Sequence, residues 1–147
     1  IFGPAYKGIP LVCSASVALS NKDINVPYSF NRKEIKDHGE GGKIIGSPIK
    51  GKVLILDDVI SAGTSINESY NLIKNSGAQI VGVIVAIDRQ EKGEDSLSAT
   101  QEITKKYSIP VFSLINLEDI IHYLETKNDF KNELELIKIY QNTYGVI

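Results

Sequence analysis

A single cysteine, Cys13, stands among the 147 residues. One thiol excludes an intramolecular disulfide framework and a cysteine-rich metal site, and it sets the expectation of a reducing, cytoplasmic location. No uninterrupted apolar run approaches the roughly 20 residues that a membrane-spanning helix needs, and no charged-then-apolar leader is seen. The expectation is a soluble protein with no membrane partner. An excess of one charge is missing as well, because 16 Lys and Arg face 18 Asp and Glu for a formal net charge of -2. That balance argues against a generally basic nucleic-acid binder and leaves room only for a local basic patch.

Missing motifs narrow the chemistry further. The chain has no G-x-x-x-x-G-K-[ST] phosphate loop, and the glycines from Gly39 to Gly46 do not make G-x-G-x-x-G because Ile44 occupies the last position. Zinc-ligand spacing and a nucleophile elbow are also absent. No internal repeat or low-complexity linker divides residues 1–147, a length that suits one domain with a substantial core. There is no initiator Met. Ile1-Phe2-Gly3-Pro4 reads as the end of a strand entering a loop, so the chain is expected to lack its natural amino terminus.

What is present centres on Val53 to Ser65, Val-Leu-Ile-Leu-Asp-Asp-Val-Ile-Ser-Ala-Gly-Thr-Ser. The run Val53–Leu56 is too short for a lone helix and reads as a strand buried on both faces, as in parallel sheets. Asp57 and Asp58 then stand at its carboxyl end, the edge of an open α/β sheet where ligands bind. Ser61, Ala62, Gly63, Thr64 and Ser65 form a turn of small residues that opens a helix. Backbone N–H groups can approach an anion closely there, because the first N–H groups of a helix lack intrahelical partners. The two carboxylates cannot hold a phosphate, but they suit sugar hydroxyls or a hydrated Mg²⁺ ion. Together the features point to a phosphorylated sugar. The plainer alternative, a solvated Asp pair before an ordinary capped helix, leaves the adjacent like charges unexplained.

Strand and helix signals alternate along the chain. Pro10 lies near the first turn of a helix through Leu19, and Tyr28–Asn31 reads as a short strand. Ile66, Tyr70 and Ile73 share one helix face that Gly77 closes. Gln79–Ile87 is a second apolar strand ending in Asp88-Arg89-Gln90-Glu91. A helix is expected over Ser96–Tyr107 and a third apolar strand over Ile109–Leu114. Asn116 caps a further helix to about Glu125, and the last helix runs from Phe130 to Tyr144 with Leu134, Ile137 and Tyr140 or Gln141 on one face. The pattern predicts an α/β fold, a doubly wound, mainly parallel sheet flanked by helices.

The polar, glycine-rich stretch from Arg32 to about Pro48 reads as a mobile flap. It concentrates Arg32, Lys33, Lys36 and His38 within seven residues. Such a flap could neutralise a polyanion and exclude water from a reaction. The alternative is a solvated charged hairpin, since Glu34, Asp37 and Glu40 nearly cancel the cations. His38 is a possible acid, base or phosphate donor. Lys7, between Tyr6 and Gly8 in a helix-entry loop, is a further candidate phosphate contact. Arg89, on the same sheet edge as Asp57 and Asp58, suits a carboxylate or carbonyl, or else pairs with Asp88 or Glu91. His122 has no polar cluster around it and receives no role.

Val53–Ser65 resembles the phosphoribosyl pyrophosphate motif of type I phosphoribosyltransferases. With the flap Phe30–Gly42, the loop Phe2–Pro10 and the segment Asp88–Glu91, nearly the whole chain is similar to bacterial orotate phosphoribosyltransferases. The resemblance implies Mg²⁺-dependent transfer of phosphoribose from phosphoribosyl pyrophosphate to orotate, giving orotidine 5′-monophosphate and pyrophosphate in pyrimidine synthesis. It also implies roles by position. Val59, Ile60 and Ser61 to Ser65 belong to the donor site with the 5-phosphate on Ser61–Ser65, while Asp57 and Asp58 face the ribose hydroxyls and hydrated metal. Tyr6, Lys7, Arg32, Lys33, Lys36 and His38 line the diphosphate site. Ser61 and Arg89 face orotate, and Lys36, His38, Asp57 and Asp58 are the catalytic candidates. Ser61 stands where many relatives carry Thr and keeps the hydroxyl. In this family the flap reaches into a neighbouring subunit's site, implying a homodimer, and an amino-terminal hood helps bind the base; this chain begins after it. A phosphoribosyl-pyrophosphate-sensing regulator that binds nucleic acid, and a purine phosphoribosyltransferase, are the alternatives. The flap and net charge favour the enzyme over the regulator, and the flap with Arg89 favours orotate over a purine.

Overall fold

The computed structural model describes residues 1–34, 42–61, 63–93 and 96–146. In chain order these form β1 (Phe2–Gly3), α1 (Gly8–Ser20), β2 (Ser29–Asn31), β3 (Ile44–Gly46), β4 (Lys52–Asp57), α2 (Thr64–Asn75), β5 (Gln79–Asp88), α3 (Ala99–Tyr107), β6 (Val111–Asn116), α4 (Leu117–Glu125) and α5 (Lys131–Tyr144). A single 3-10 turn over Asn128–Phe130 precedes α5. The six strands make one sheet in the order β3-β2-β1-β4-β5-β6, parallel except for β3, which runs antiparallel to β2.

That order explains the layers. The chain leaves β1 for β2 in one direction along the sheet and leaves β4 for β5 and β6 in the other. Right-handed crossovers then put α1 on one face and α2 and α3 on the opposite face. The direction reverses between β1 and β4, which pair through Phe2 and Ile55. A crevice therefore opens at their carboxyl ends, the position where open α/β sheets bind ligands.

The main core lies beneath α2 and α3. Ile55, Val83 and Val85 from the sheet meet Ile66 and Ile73 from α2 and Ile103 from α3, all almost wholly shielded from solvent. Each such side chain contributes about 1.5–3 kcal/mol through burial. Tyr70 packs at the margin, and Gly77, at φ +76°, ends the helix as expected.

Several expectations need correction. Residues Val53, Ile55 and Asp57 of β4 are buried, but Leu54 and Leu56 are only partly so. On the second face α1 packs against β1 and its neighbours β2 and β4, which leaves Leu54 and Leu56 of β4 half-covered. Phe112 and Leu114 of edge strand β6, which share that face with Ile84, remain 58% and 75% exposed. Ile44–Gly46, which the sequence reading leaves within the flap, is a strand whose Ile45 pairs with Phe30. The α3 helix begins at Ala99 rather than Ser96, because Ser98 and Gln101 form a reciprocal capping box. Asn116 caps α4 as expected, with Asp119 completing the box. In α5, Leu134, Ile137, Tyr140 and Gln141 are the half-buried positions along the inward face.

Candidate active site

Close packing of glycines brings the loop after β1 to the end of β4. A Cβ on Gly3 would lie 2.3 Å from the Gly8 carbonyl oxygen, and one on Gly8 would lie 2.8 Å from the Leu56 carbonyl oxygen. The Gly8 N–H donates to Pro4 O at 3.0 Å, and the Ala5 N–H donates to Asn31 Oδ1 at 2.8 Å. The Ala5–Tyr6 peptide bond is cis. This geometry suspends Tyr6 and Lys7 over the crevice. Lys7 Nζ donates to Asp58 Oδ2 at 2.7 Å, joining the two loops across the switch point.

The paired carboxylates are unlike each other. Asp57 is 6% exposed at the end of β4, and its Oδ1 accepts the Asp58 N–H at 2.9 Å. Burial, above all, raises its pKa from 3.8 to about 6, and the negative charge of Asp58 adds to the rise. Partial burial pushes Asp58 the same way, but the Lys7 ammonium and the Val59 N–H outweigh it and hold that carboxyl below its ordinary value. The partnership also raises the Lys7 pKa, mainly through the hydrogen bond from its ammonium to Asp58. Two neighbouring groups of one type are thus tuned apart by environment.

Beyond Asp58 the chain turns into α2. Gly63 adopts φ +67° as the residue before the helix, no side chain among the described residues caps the helix start, and its first turn carries no acidic residue. By contrast α3 and α4 both carry capping boxes. The α2 N–H groups at Thr64 and Ser65 are therefore left for an external acceptor, and the helix dipole favours an anion there. The cavity at this end has a volume of about 480 Å³ and is walled by Tyr6, Lys7, Lys33, Asp57, Asp58, Val59–Ser61 and Gly63–Ser65. That volume falls in the range of small-ligand sites.

The structure brings most candidates together. Tyr6, Lys7, Lys33, Asp57, Asp58, Val59, Ile60, Ser61, Gly63, Thr64 and Ser65 all line the cavity. Ile60 is also packed into the core, so it contributes its backbone. Lys33 Nζ sits 5.4 Å from the centre of the Tyr6 ring, linking the flap base to the loop after β1. Arg32 instead lines an adjoining groove between the β2–β3 hairpin and α2, where its N–H donates to Lys43 O at 2.8 Å. Lys36, His38 and Ala62 lie outside the described residues.

Arg89 approaches from β5. Its Nη2 donates to Ser61 Oγ at 2.9 Å and also meets Glu91 Oε2 at 2.9 Å, so the expected ion pair and the site contact coexist. Sequence reasoning missed how firmly this segment is held. Asp88 accepts from Thr100 and from the Gln90 N–H, Gln90 takes φ +52° and accepts the Glu118 N–H, and the chain end hydrogen-bonds back through Val146 and Tyr144. The signal was present only as polar residues in Asp88–Glu91, whose partners lie far away in sequence.

A metal has a partial cradle here. Among the described residues no group of three or more His, Cys, Asp or Glu could hold an ion. Asp57 and Asp58 fit an ion that keeps most of its waters and takes its other ligands from a substrate, the usual habit of Mg²⁺. Among the described residues no helix is long and apolar enough to cross a membrane.

Comparison with known proteins agrees with this geometry. The phosphoribosyl transferase domain family matches residues 1–113. The orotate phosphoribosyltransferase of Nitrosomonas europaea is 55% identical over 145 residues, covering 99% of this chain and 64% of that protein. That of Marinobacter nauticus is 53% identical over 146 residues, covering 99% of this chain and 69% of that protein. The chain thus spans about two thirds of the length of these relatives. The crystal structure of orotate phosphoribosyltransferase from Francisella tularensis superposes with a TM-score of 0.81 at 42% identity, over 98% of this chain and 66% of that one. By fold, site and sequence, the chain belongs to the phosphoribosyltransferase family, among the orotate phosphoribosyltransferases.

Proposed function

We propose that this protein transfers the 5-phosphoribosyl group from phosphoribosyl pyrophosphate to orotate, with Mg²⁺ as cofactor, giving orotidine 5′-monophosphate and pyrophosphate. One observation carries the reading. Arg89 donates to Ser61, the first residue of the turn before α2, so a guanidinium meant for a planar anion adjoins a cavity suited to a ribose phosphate. An orotate carboxylate answers that arginine, whereas neutral purine bases have no such group.

The residues divide the work by charge. The uncapped start of α2, with the hydroxyls of Thr64 and Ser65, receives the 5-phosphate. Asp57 and Asp58 accept from the ribose hydroxyls and from the waters of a bound Mg²⁺, which neutralises diphosphate charge when present. Lys7 exchanges its hydrogen bond to Asp58 for the diphosphate when the donor binds. Lys33 and, through the flap, Lys36 and His38 add cations at the departing end.

In the reaction the bond from ribose C1 to the diphosphate oxygen breaks with its electron pair on oxygen. The deprotonated ring nitrogen of orotate supplies the pair for the new bond to C1, so no covalent enzyme intermediate is needed. Donors preorganised around the leaving group act most strongly as its charge develops. The family's use of a flap across a subunit boundary makes a homodimer part of the reading, testable by sedimentation.

The test incubates the protein with Mg²⁺ and phosphoribosyl pyrophosphate and follows loss of orotate absorbance, with hypoxanthine, adenine and uracil in parallel. Orotate alone is expected to turn over. Turnover of another base without orotate would overturn the assignment.

A further inference from the structure

Arg89 is held by a relay that ends on the last helix, outside the span matched by the phosphoribosyl transferase domain family. Of its five N–H donors, Nη2 serves both Ser61 Oγ and Glu91 Oε2, each at 2.9 Å. The Nε N–H is buried and has no acceptor among the described residues. Glu91 uses its other oxygen, Oε1, to accept a hydrogen bond from the Tyr140 hydroxyl of α5. That bond, first among several effects, raises the pKa of Tyr140, as expected for a phenol donating to a carboxylate.

We propose that Tyr140 and Glu91 are positioning residues for orotate recognition, a relay by which the carboxy-terminal helix sets the orientation of the Arg89 guanidinium. The proposal rests on the orotate reading above. Its physical basis is competition for donors. A free Glu91 carboxylate could turn both oxygens onto Arg89 and form the bidentate pair that guanidinium and carboxylate favour. The substrate's carboxylate would then meet an arginine with one donor fewer to offer and its favoured pairing edge taken. With Tyr140 engaging Oε1, Glu91 offers Arg89 one oxygen, and the Nη1 donors stay available to a ligand.

The backbone places both ends of the relay in register. Glu91 forms an antiparallel bridge with Gly145, the Lys92 N–H donates to Tyr144 O at 2.7 Å, and the Val146 N–H donates to Gln90 O at 2.9 Å. These bonds dock the end of α5 beside the Arg89 loop whatever the side chains do. Removing the Tyr140 hydroxyl therefore changes the relay while leaving this docking in place.

The test measures steady-state kinetics of Tyr140→Phe, Glu91→Ala, the double variant and Glu91→Gln, with thermal midpoints as a control. Tyr140→Phe is expected to raise the orotate KM about tenfold, with kcat and the KM for phosphoribosyl pyrophosphate within about twofold of wild type. Glu91→Ala should also raise the orotate KM, because Arg89 loses its anchor, and the double variant should be no worse than Glu91→Ala, because both act through one contact. Glu91→Gln, which can still bond to both neighbours, should stay within about threefold of wild type. An unchanged orotate KM in Tyr140→Phe, equal rises in both KM values, or multiplying effects in the double variant would overturn the relay. Should Tyr140→Phe fail to fold, the contrast between Glu91→Ala and Glu91→Gln decides the matter. Failure of the orotate reading has a separate signature, wild-type protein that turns over some other base but not orotate.

Discussion

Replacing Asp57 by Asn is expected to stabilise the fold at neutral pH while abolishing turnover. Asp57 is 6% exposed, and its pKa stands at about 6 against an ordinary 3.8. The folded state therefore holds this proton more tightly than the unfolded chain does. Stability from the group is fully present below about pH 3.8, declines as the pH rises and is lost above about pH 6. The gap between the two values corresponds to about 3 kcal/mol. Asparagine never ionises, and its Oδ1 can still accept the Asp58 N–H that Asp57 accepts at 2.9 Å. Urea unfolding of both proteins across this range isolates the effect. The variant's advantage should be near zero at about pH 3 and reach about 3 kcal/mol by about pH 7.5, moving the midpoint by about 1 to 2 M urea. Asp58 and Glu125, whose carboxyls lie below their ordinary values, have the opposite dependence, losing stability as the pH falls. They occur in both proteins and largely cancel in the difference. An advantage below about 1 kcal/mol at pH 7.5, or one equally large at pH 4, would refute the reasoning, the latter because it would reflect packing instead of charge.

Gly63→Ala should cost about 1–2 kcal/mol of stability, since φ +67° disfavours a side chain and the new Cβ would stand 3.1 Å from Ile103 Cδ1; chemical denaturation checks this, and binding of phosphoribosyl pyrophosphate should weaken in parallel. Gly8→Ala should cost about 1–3 kcal/mol, because its Cβ would meet the Leu56 carbonyl oxygen at 2.8 Å and the loop carrying Lys7 would have to move; the same unfolding assay, with kcat, reports it. Arg89→Lys should lower kcat/KM for orotate about 10- to 150-fold, the equivalent of one charged hydrogen bond at about 1.5–3 kcal/mol, with little change in the KM for the donor. Lys36→Ala should depress kcat far more than it weakens binding of either substrate, and normal turnover would remove it from the mechanism.

The cavity's wall at the end of β4, the proposed donor side, was legible because it is local. Asp57, Asp58 and Ser61 to Ser65 follow one another in the chain, so a strand end, a turn and a helix start can be read from a single run. The surroundings of Arg89, the proposed orotate side, were legible only in part. Arg89 stood out by type and position, but Glu91, Gln90, Thr100 and Tyr140 acquire their roles through contacts with distant elements. The edge strand β3 escaped notice for a related reason. Ile44 and Ile45 sit among glycines and charges, and only pairing with β2 makes them a strand.

By itself, then, the sequence determined the alternation of strands and helices, the small-residue turn before α2 and the supply of charge, because each depends on neighbouring residues and on side-chain chemistry that does not change with context. Tertiary structure decided the rest. The reversal of direction between β1 and β4 opens the crevice, burial lifts the pKa of Asp57 to about 6 while Lys7 from the loop after β1 helps hold that of Asp58 low, and α5 comes to the loop that carries Arg89. Dielectric environment and long-range hydrogen bonding exist only once segments far apart in the chain are packed together.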